Sequence, residues 1–227
     1  MSIYFDYNAT APLRPVARDA MLRAFDAVGN PSSVHGPGRA AKAAMENARS
    51  SLAKLVSCRP TDIIFTSGGT ECNNLAISNA IAAWGCKSVL YCATEHPSIA
   101  APAEQSGVLA VMVSVMDNGE VNLAALDKSM SAQNNPFLLC IMLANNETGL
   151  LQSLPEIAER VHQAGGFLHV DAAQAFGKVP VDFAASGADS MSLVSHKAGG
   201  PNGVGALLIA CGLAVSAQLV GGGQEEG

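Results

Sequence analysis

What this sequence has little of narrows the field first. Only 14% of its 227 residues are charged, 5% are aromatic, and there is a single tryptophan. Lys and Arg number 13 against 19 Asp and Glu, for a net charge of -6 with histidine neutral. No basic stripe is therefore available to displace counterions from nucleic-acid phosphates or to sit on an anionic membrane surface. No run of eighteen or more apolar residues occurs, and residues 1–6 carry neither a basic nor an apolar leader region, so the expectation is a cytoplasmic protein with no membrane partner. The six cysteines (Cys58, Cys72, Cys86, Cys92, Cys140, Cys211) include no CxxC pair. Several sit in apolar runs, which suits reduced thiols better than a disulfide framework or a zinc site. Walker A and GxGxxG patterns are missing, so neither nucleoside triphosphate nor dinucleotide binding is specifically supported. What is present is 49% hydrophobic, too apolar for disorder and sized for one or two domains, with some apolar surface expected to meet another chain.

The chain reads as β then α, repeatedly. Short, nearly continuous apolar runs at residues 62–66, 88–92, 109–115, 137–143, 167–170, 190–194 and 205–209 predict strands buried on both faces. Helices are predicted at 15–28, 38–56, 70–84, 97–106, 123–131 and 154–164. In the second of these, Ala41, Ala44, Ala48, Leu52 and Leu55 form the expected inner stripe, with Lys42, Glu46, Arg49 and Lys54 outside it. The expected fold class is α/β, a three-layer α/β/α arrangement around a mainly parallel sheet of about seven strands. Right-handed crossovers then place the strand-to-helix loops at one carboxyl edge, where ligands bind in such sheets. Residues 1–14 read as an N-terminal arm and 15–227 as one large domain. The glycine-rich end, Gly221-Gly222-Gly223-Gln224-Glu225-Glu226-Gly227, looks unable to close a domain by itself, which predicts that more structure follows it.

Three features at that edge carry chemistry. Ser67-Gly68-Gly69-Thr70-Glu71 follows a strand and opens a helix; free N–H groups, the helix dipole and the Thr70 hydroxyl make an anion site there, or else a plain helix cap. Asp171 ends the apolar strand Phe167-Leu168-His169-Val170 and is a magnesium ligand, the partner of a protonated pyridine nitrogen as pyridoxal phosphate requires, or a helix cap. Met191-Ser192-Leu193-Val194-Ser195 delivers His196 and Lys197 to the same edge, where a lysine either forms a Schiff base with an aldehyde or snorkels to solvent. Thr94-Glu95-His96-Pro97 and Asn145-Asn146-Glu147-Thr148-Gly149 also follow strands. His96 is placed to stack on a flat cofactor and move protons, or is a surface histidine. His35, His162 and His169 lack such context and read as structural. His96, His196 and Asp171 have no metal-ligand spacing, so no metal is expected.

Together these segments resemble the cysteine desulfurases, class V aminotransferases of the pyridoxal-phosphate enzymes with the aspartate aminotransferase-like large domain. The likeness spans nearly the whole chain. It rests on Phe5-Asp6-Tyr7-Asn8-Ala9-Thr10, Gly29-Asn30-Pro31-Ser32-Ser33-Val34-His35-Gly36, Ser67-Gly68-Gly69-Thr70-Glu71, Thr94-Glu95-His96, Asn145-Asn146-Glu147-Thr148-Gly149, His169-Val170-Asp171-Ala172-Ala173-Gln174, Ser195-His196-Lys197 and Gly221-Gly222-Gly223-Gln224-Glu225.

The resemblance implies pyridoxal 5'-phosphate as cofactor, attached to Lys197, with Asp171 on the pyridine nitrogen and His96 stacked on the ring. It implies Gly69, Thr70 and His196 on the phosphate, Gln174 on the phenolic oxygen, and Asn146 beside it, orienting the substrate carboxylate. The implied reaction converts L-cysteine to L-alanine and leaves a persulfide for iron–sulfur cluster or thio-cofactor synthesis, in a homodimer that serves a sulfur acceptor or scaffold protein. Selenocysteine lyase, another class V enzyme, or a non-catalytic dimerising fragment are the alternatives. Two departures stand out. Val194 occupies the place of a phosphate-binding serine, with Ser195 the neighbouring substitute. The cysteine nucleophile and the carboxylate-binding arginine belong to a smaller C-terminal domain that this sequence is expected to lack.

Overall fold

A computed structural model describes residues 3–218 and 220–222; the part of the glycine-rich motif from Gly223 onward lies outside the described residues. Its centre is a seven-stranded sheet of β1 (Ile63–Thr66), β2 (Ser88–Cys92), β3 (Leu109–Val113), β4 (Leu138–Met142), β5 (Phe167–Asp171), β6 (Ser190–Val194) and β7 (Gly205–Ile209). The strand order is β1-β7-β6-β5-β4-β2-β3. Neighbours from β3 through β6 run parallel, while β7 is antiparallel to both β6 and β1, so β1 points the same way as β6. Chain direction across the sheet reverses between β2 and β4, which opens a crevice at their carboxyl ends.

The inner strands form because both of their faces are apolar. Leu90, Cys92, Leu139 and Ile141 join one core cluster, whereas the alternating Val89, Tyr91, Leu138 and Cys140 join another. On the second face lie α3 (Gly69–Ala82) and α4 (Pro97–Gln105); on the first lie α2 (Gly36–Leu55), α5 (Leu123–Ser131), α6 (Leu154–Gln163) and the single turn α7 (Phe183–Ser186). The result is the expected three-layer α/β/α architecture. No helix among the described residues is long and apolar enough to cross a membrane.

Three expectations need correction. Residues 109–115 are not a strand buried on both faces: β3 is the sheet edge, with Leu109 and Met112 exposed. The inner stripe of α2 is displaced from the one predicted, since Ala44, Ala48 and Leu55 are exposed while Arg49 and Ala53 are buried. Arg49 goes inside because its guanidinium donates to the Ile63 carbonyl at 2.6 Å and lies 4.6 Å over the Phe65 ring, which satisfies its charge and covers its stem. Asp62, expected as the first residue of the strand, instead closes the 3-10 turn Pro60–Asp62, where it binds the Arg59 guanidinium and backbone N–H. The first helix, α1 (Pro15–Phe25), buries none of its residues.

His169 sits in β5, the fourth of the seven strands, with no exposed surface; its ring meets Ser190 Oγ at 2.8 Å and Asn73 Oδ1 at 3.1 Å. Burial pushes its pKa down to about 4, against a weaker upward pull from Asp171. The folded state therefore takes up a proton less readily than the unfolded chain, so this contribution is intact above the ordinary histidine pKa near 6.5 and is lost as pH falls toward 4. Urea unfolding should show the wild type losing about 3 kcal/mol more than His169→Gln between pH 7 and pH 4. Parallel losses in the two proteins would contradict a neutral, buried histidine.

Candidate active site

Eight of the nine residues singled out in the sequence line one cavity of about 690 Å³: Gly69, Thr70, His96, Asn146, Asp171, Gln174, His196 and Lys197. Ser195 is not among them. A Cβ on Gly200 would collide with the Ser195 hydroxyl, and the Ser195 carbonyl accepts the N–H groups of Ala198 and Gly200 at 2.9 and 3.0 Å, closing the turn that carries Lys197. A cavity of about 740 Å³ beside Arg59 and β7 contains none of the nine.

The cavity has a positive end. Strand β1 leads through Ser67 and Gly68 into α3, whose N-cap Gly68 provides no side-chain cap. The first-turn carboxylate, Glu71, is turned back onto Ser67, accepting its backbone N–H at 2.7 Å. That leaves the start of α3 open to an anion. The tight approach here depends on glycine: a Cβ at Gly205 would lie 2.8 Å from the Gly68 Cα, and one at Gly69 would lie 2.8 Å from Val194 Cγ1. Val194 lines the cavity beside Gly69 and contributes a methyl where the resemblance places a serine. His196 and half-buried Lys197 also line the cavity. The His196 pKa is lowered by burial and by the Lys197 charge, and its Nδ1 lies 3.1 Å from Thr10 Oγ1.

The cavity also holds a carboxylate. Asp171 is 8% exposed at the close of β5, accepting the Ala173 N–H at 2.9 Å through Oδ1 and the Asn73 amide at 2.9 Å through Oδ2. At the N-cap of α4, the Ser98 N–H donates to His96 Nδ1 at 3.1 Å, so Nδ1 is an acceptor and the neutral ring keeps its proton on Nε2. Glu95 pins the preceding loop: Oε1 accepts the Met142 N–H at 2.7 Å, and Oε2 is buried with no partner among the described residues. Burial, reinforced by Asp171, holds its carboxyl well above the usual range.

The sequence reading gave no site role to the N-terminal arm, yet Asp6, Asn8 and Ala9 line the cavity. Asn8 is the hub: its carbonyl accepts from Gln174 Nε2 at 2.8 Å, its amide donates to the Asn146 carbonyl at 2.8 Å, and its Oδ1 accepts from Lys178 at 2.8 Å. The signal was available in the Asp6-Tyr7-Asn8-Ala9-Thr10 run, whose polar residues lie outside any element with a core face to fill. Cys72, near the α3 N-terminus, has a pKa pushed up to about 12 by burial and meets Thr66 Oγ1 at 2.9 Å; the helix N-terminus does not make it a reactive thiol. Among the described residues no cluster of three His, Cys, Asp or Glu side chains is arranged for a metal ion.

The model of the aminotransferase class-V family matches residues 3–226. The cysteine desulfurase IscS of Rickettsia bellii is 39% identical over 236 residues, which cover 100% of this chain and 57% of that protein. Among solved structures, a NifS-like protein from Rickettsia africae superposes with a TM-score of 0.93 at 33% identity, covering 100% of this chain and 63% of its own. A structure described as SspA in complex with cysteine superposes at 0.89 with 30% identity, covering 100% of this chain and 67% of that one.

The contact of Gly69 with Val194 generates a prediction. Gly69→Ala should destabilise the protein by about 1–3 kcal/mol through overpacking, and most of that loss should disappear in a Val194→Ser background. Thermal unfolding of the two single variants and the double variant reads this; an undiminished penalty in the double variant would contradict it.

Proposed function

Because the chain belongs to the aminotransferase class-V family, whose members use pyridoxal 5'-phosphate, we propose that its cavity holds that cofactor and serves a cysteine desulfurase reaction. In that reaction L-cysteine becomes L-alanine and its sulfur passes onward as an enzyme persulfide. The relatives' names support the reaction class, and since the chain spans 57% of the Rickettsia bellii protein, the reaction is proposed for the whole protein. The observation that carries the cofactor reading is that an open helix start and the Asp171 carboxylate line the same cavity. A phosphate and a protonated ring nitrogen fit those two features.

When bound, pyridoxal phosphate supplies an aldehyde and a ring that accepts the electron pair released at the substrate α-carbon. Lys197 offers the amine that attaches to the aldehyde and moves a proton at the α-carbon. Asp171 holds the ring nitrogen's proton by an ionic hydrogen bond that is strong in a site shielded from water. His96 presents Nε2–H to the cavity for stacking and proton transfer. The N–H groups of Gly69 and Thr70, the Thr70 hydroxyl and His196 bind phosphate, with Val194 contributing no donor. Gln174 has spent one amide N–H on Asn8, and the second would serve the phenolic oxygen. Asn146 orients the substrate carboxylate. A relative, SspA, is known in complex with cysteine, which supports cysteine as a substrate. Transfer of the sulfur to an acceptor or iron–sulfur scaffold protein is proposed from the desulfurase names alone.

A homodimer is part of the proposal. Phe5 is 86% exposed and Phe25 75% exposed, and the arm and α1 together present Ile3, Tyr4, Val16 and Leu22 as further apolar surface. Sedimentation velocity at micromolar concentration should find a dimer, and a stable monomer would remove this part.

Mixed with pyridoxal phosphate, the chain should gain a visible absorption band, and borohydride should fix the adduct on Lys197. Peptide mapping that places the reduced adduct only on other lysines would overturn the cofactor reading.

A further inference from the structure

Resting on the cofactor reading above, we propose that Asn73 is a positioning residue, whose single amide locks Asp171 and His96 into one unit facing the cofactor ring. Asn73 has no exposed surface and lies on α3 three residues after Thr70 and four after Gly69. That spacing puts it on the helix face that also presents the N-terminus to the cavity.

The hydrogen bonds fix its orientation. Asp171 Oδ2 has no hydrogen to give, so the atom 2.9 Å from it must be the Asn73 amide nitrogen. The second hydrogen of Nδ2 goes to Ser98 Oγ at 2.9 Å, and that hydroxyl gives its own hydrogen to His96 Nδ1 at 2.8 Å. Asn73 Oδ1 consequently faces His169, which must donate from Nε2 at 3.1 Å while its Nδ1 accepts from Ser190 Oγ at 2.8 Å. Both amide hydrogens and the carbonyl oxygen are thus used. A half-satisfied amide in this place would cost more than an apolar residue, whereas a fully satisfied one specifies a single geometry. A leucine here would leave Asp171 with the Ala173 N–H alone and free Ser98 from its donor. A carboxylate would meet Asp171 with like charge.

The test uses the full chain and measures dissociation constants by visible absorbance for pyridoxal 5'-phosphate and for its 1-deaza analogue, which carries carbon in place of the ring nitrogen. Asn73→Leu should weaken pyridoxal phosphate binding about ten- to a hundredfold, the size of one lost hydrogen bond to a charged group, and leave the analogue little changed. Asn73→Ser, whose short hydroxyl reaches too few partners, should show the same selectivity if the leucine variant fails to fold. Equal losses for both ligands, or none for either, would overturn the proposal, because a merely structural asparagine does not distinguish nitrogen from carbon in the ring. Nitrogen-15 NMR of the ligand-free chain gives a separate reading: the His169 proton should be on Nε2, and a proton on Nδ1 would refute the network. A wild-type chain that binds neither ligand while keeping the Nε2 proton would overturn the cofactor reading and, with it, the positioning role, leaving the hydrogen-bond network itself standing.

Discussion

The whole site is arranged around one buried carboxylate. Asp171 ends β5, with three strands on either side of it in the sheet, and a charge there is tolerable only if its oxygens are met by donors. Two elements supply them: the backbone just beyond the strand, through Ala173, and helix α3, through Asn73. That requirement fixes the rotation of α3 against the sheet. The same rotation turns the open N-terminus of α3 to the cavity, so satisfying the acid also sets the anion-binding region.

Charge separation across the cavity then follows from topology. Parallel strands from β2 through β6 send their loops to one edge, and the antiparallel hairpin of β6 and β7 brings the Lys197 turn to that edge as well. Because β7 lies between β6 and β1, the phosphate-type loop after β1 comes close enough that only glycine fits at Gly205. On the proposed reading, a cofactor with an anionic phosphate and a protonated ring nitrogen is bound by two linked features of the fold, held in register by the sheet. Glu95 fits the same scheme, since burial and Asp171 hold its carboxyl well above the usual range while it anchors the loop before His96.

The strands were legible because burial on both faces leaves continuous apolar runs, and the edge position of the reactive residues followed from the β/α alternation. What was not legible depended on tertiary partners. Nothing local shows that β3 is an edge or that Arg49 turns inward onto Phe65 and the Ile63 carbonyl. Alanine contributes so little burial that Ala44 and Ala48 could not orient α2. Asn73 was overlooked since asparagine on a helix is normally a surface residue. It nonetheless shares the stripe of Ile77 and Ala80 at helical spacing, and a polar residue in an apolar stripe has to find partners inside. The arm was legible only in part: the polar Asp6-Tyr7-Asn8-Ala9-Thr10 run points to a site role, but the partners of Asn8, namely Gln174, Asn146 and Lys178, are set by tertiary contact.

The central claim, that Asp171 is built to hold a proton on the ring nitrogen of a bound cofactor, is tested most directly by nitrogen-15 NMR of pyridoxal phosphate labelled at that nitrogen and bound to the chain. The account predicts a protonated ring nitrogen in the wild type and an unprotonated one in Asp171→Asn at the same pH. An unprotonated nitrogen in the wild type, or one unaffected by Asp171→Asn, would contradict it.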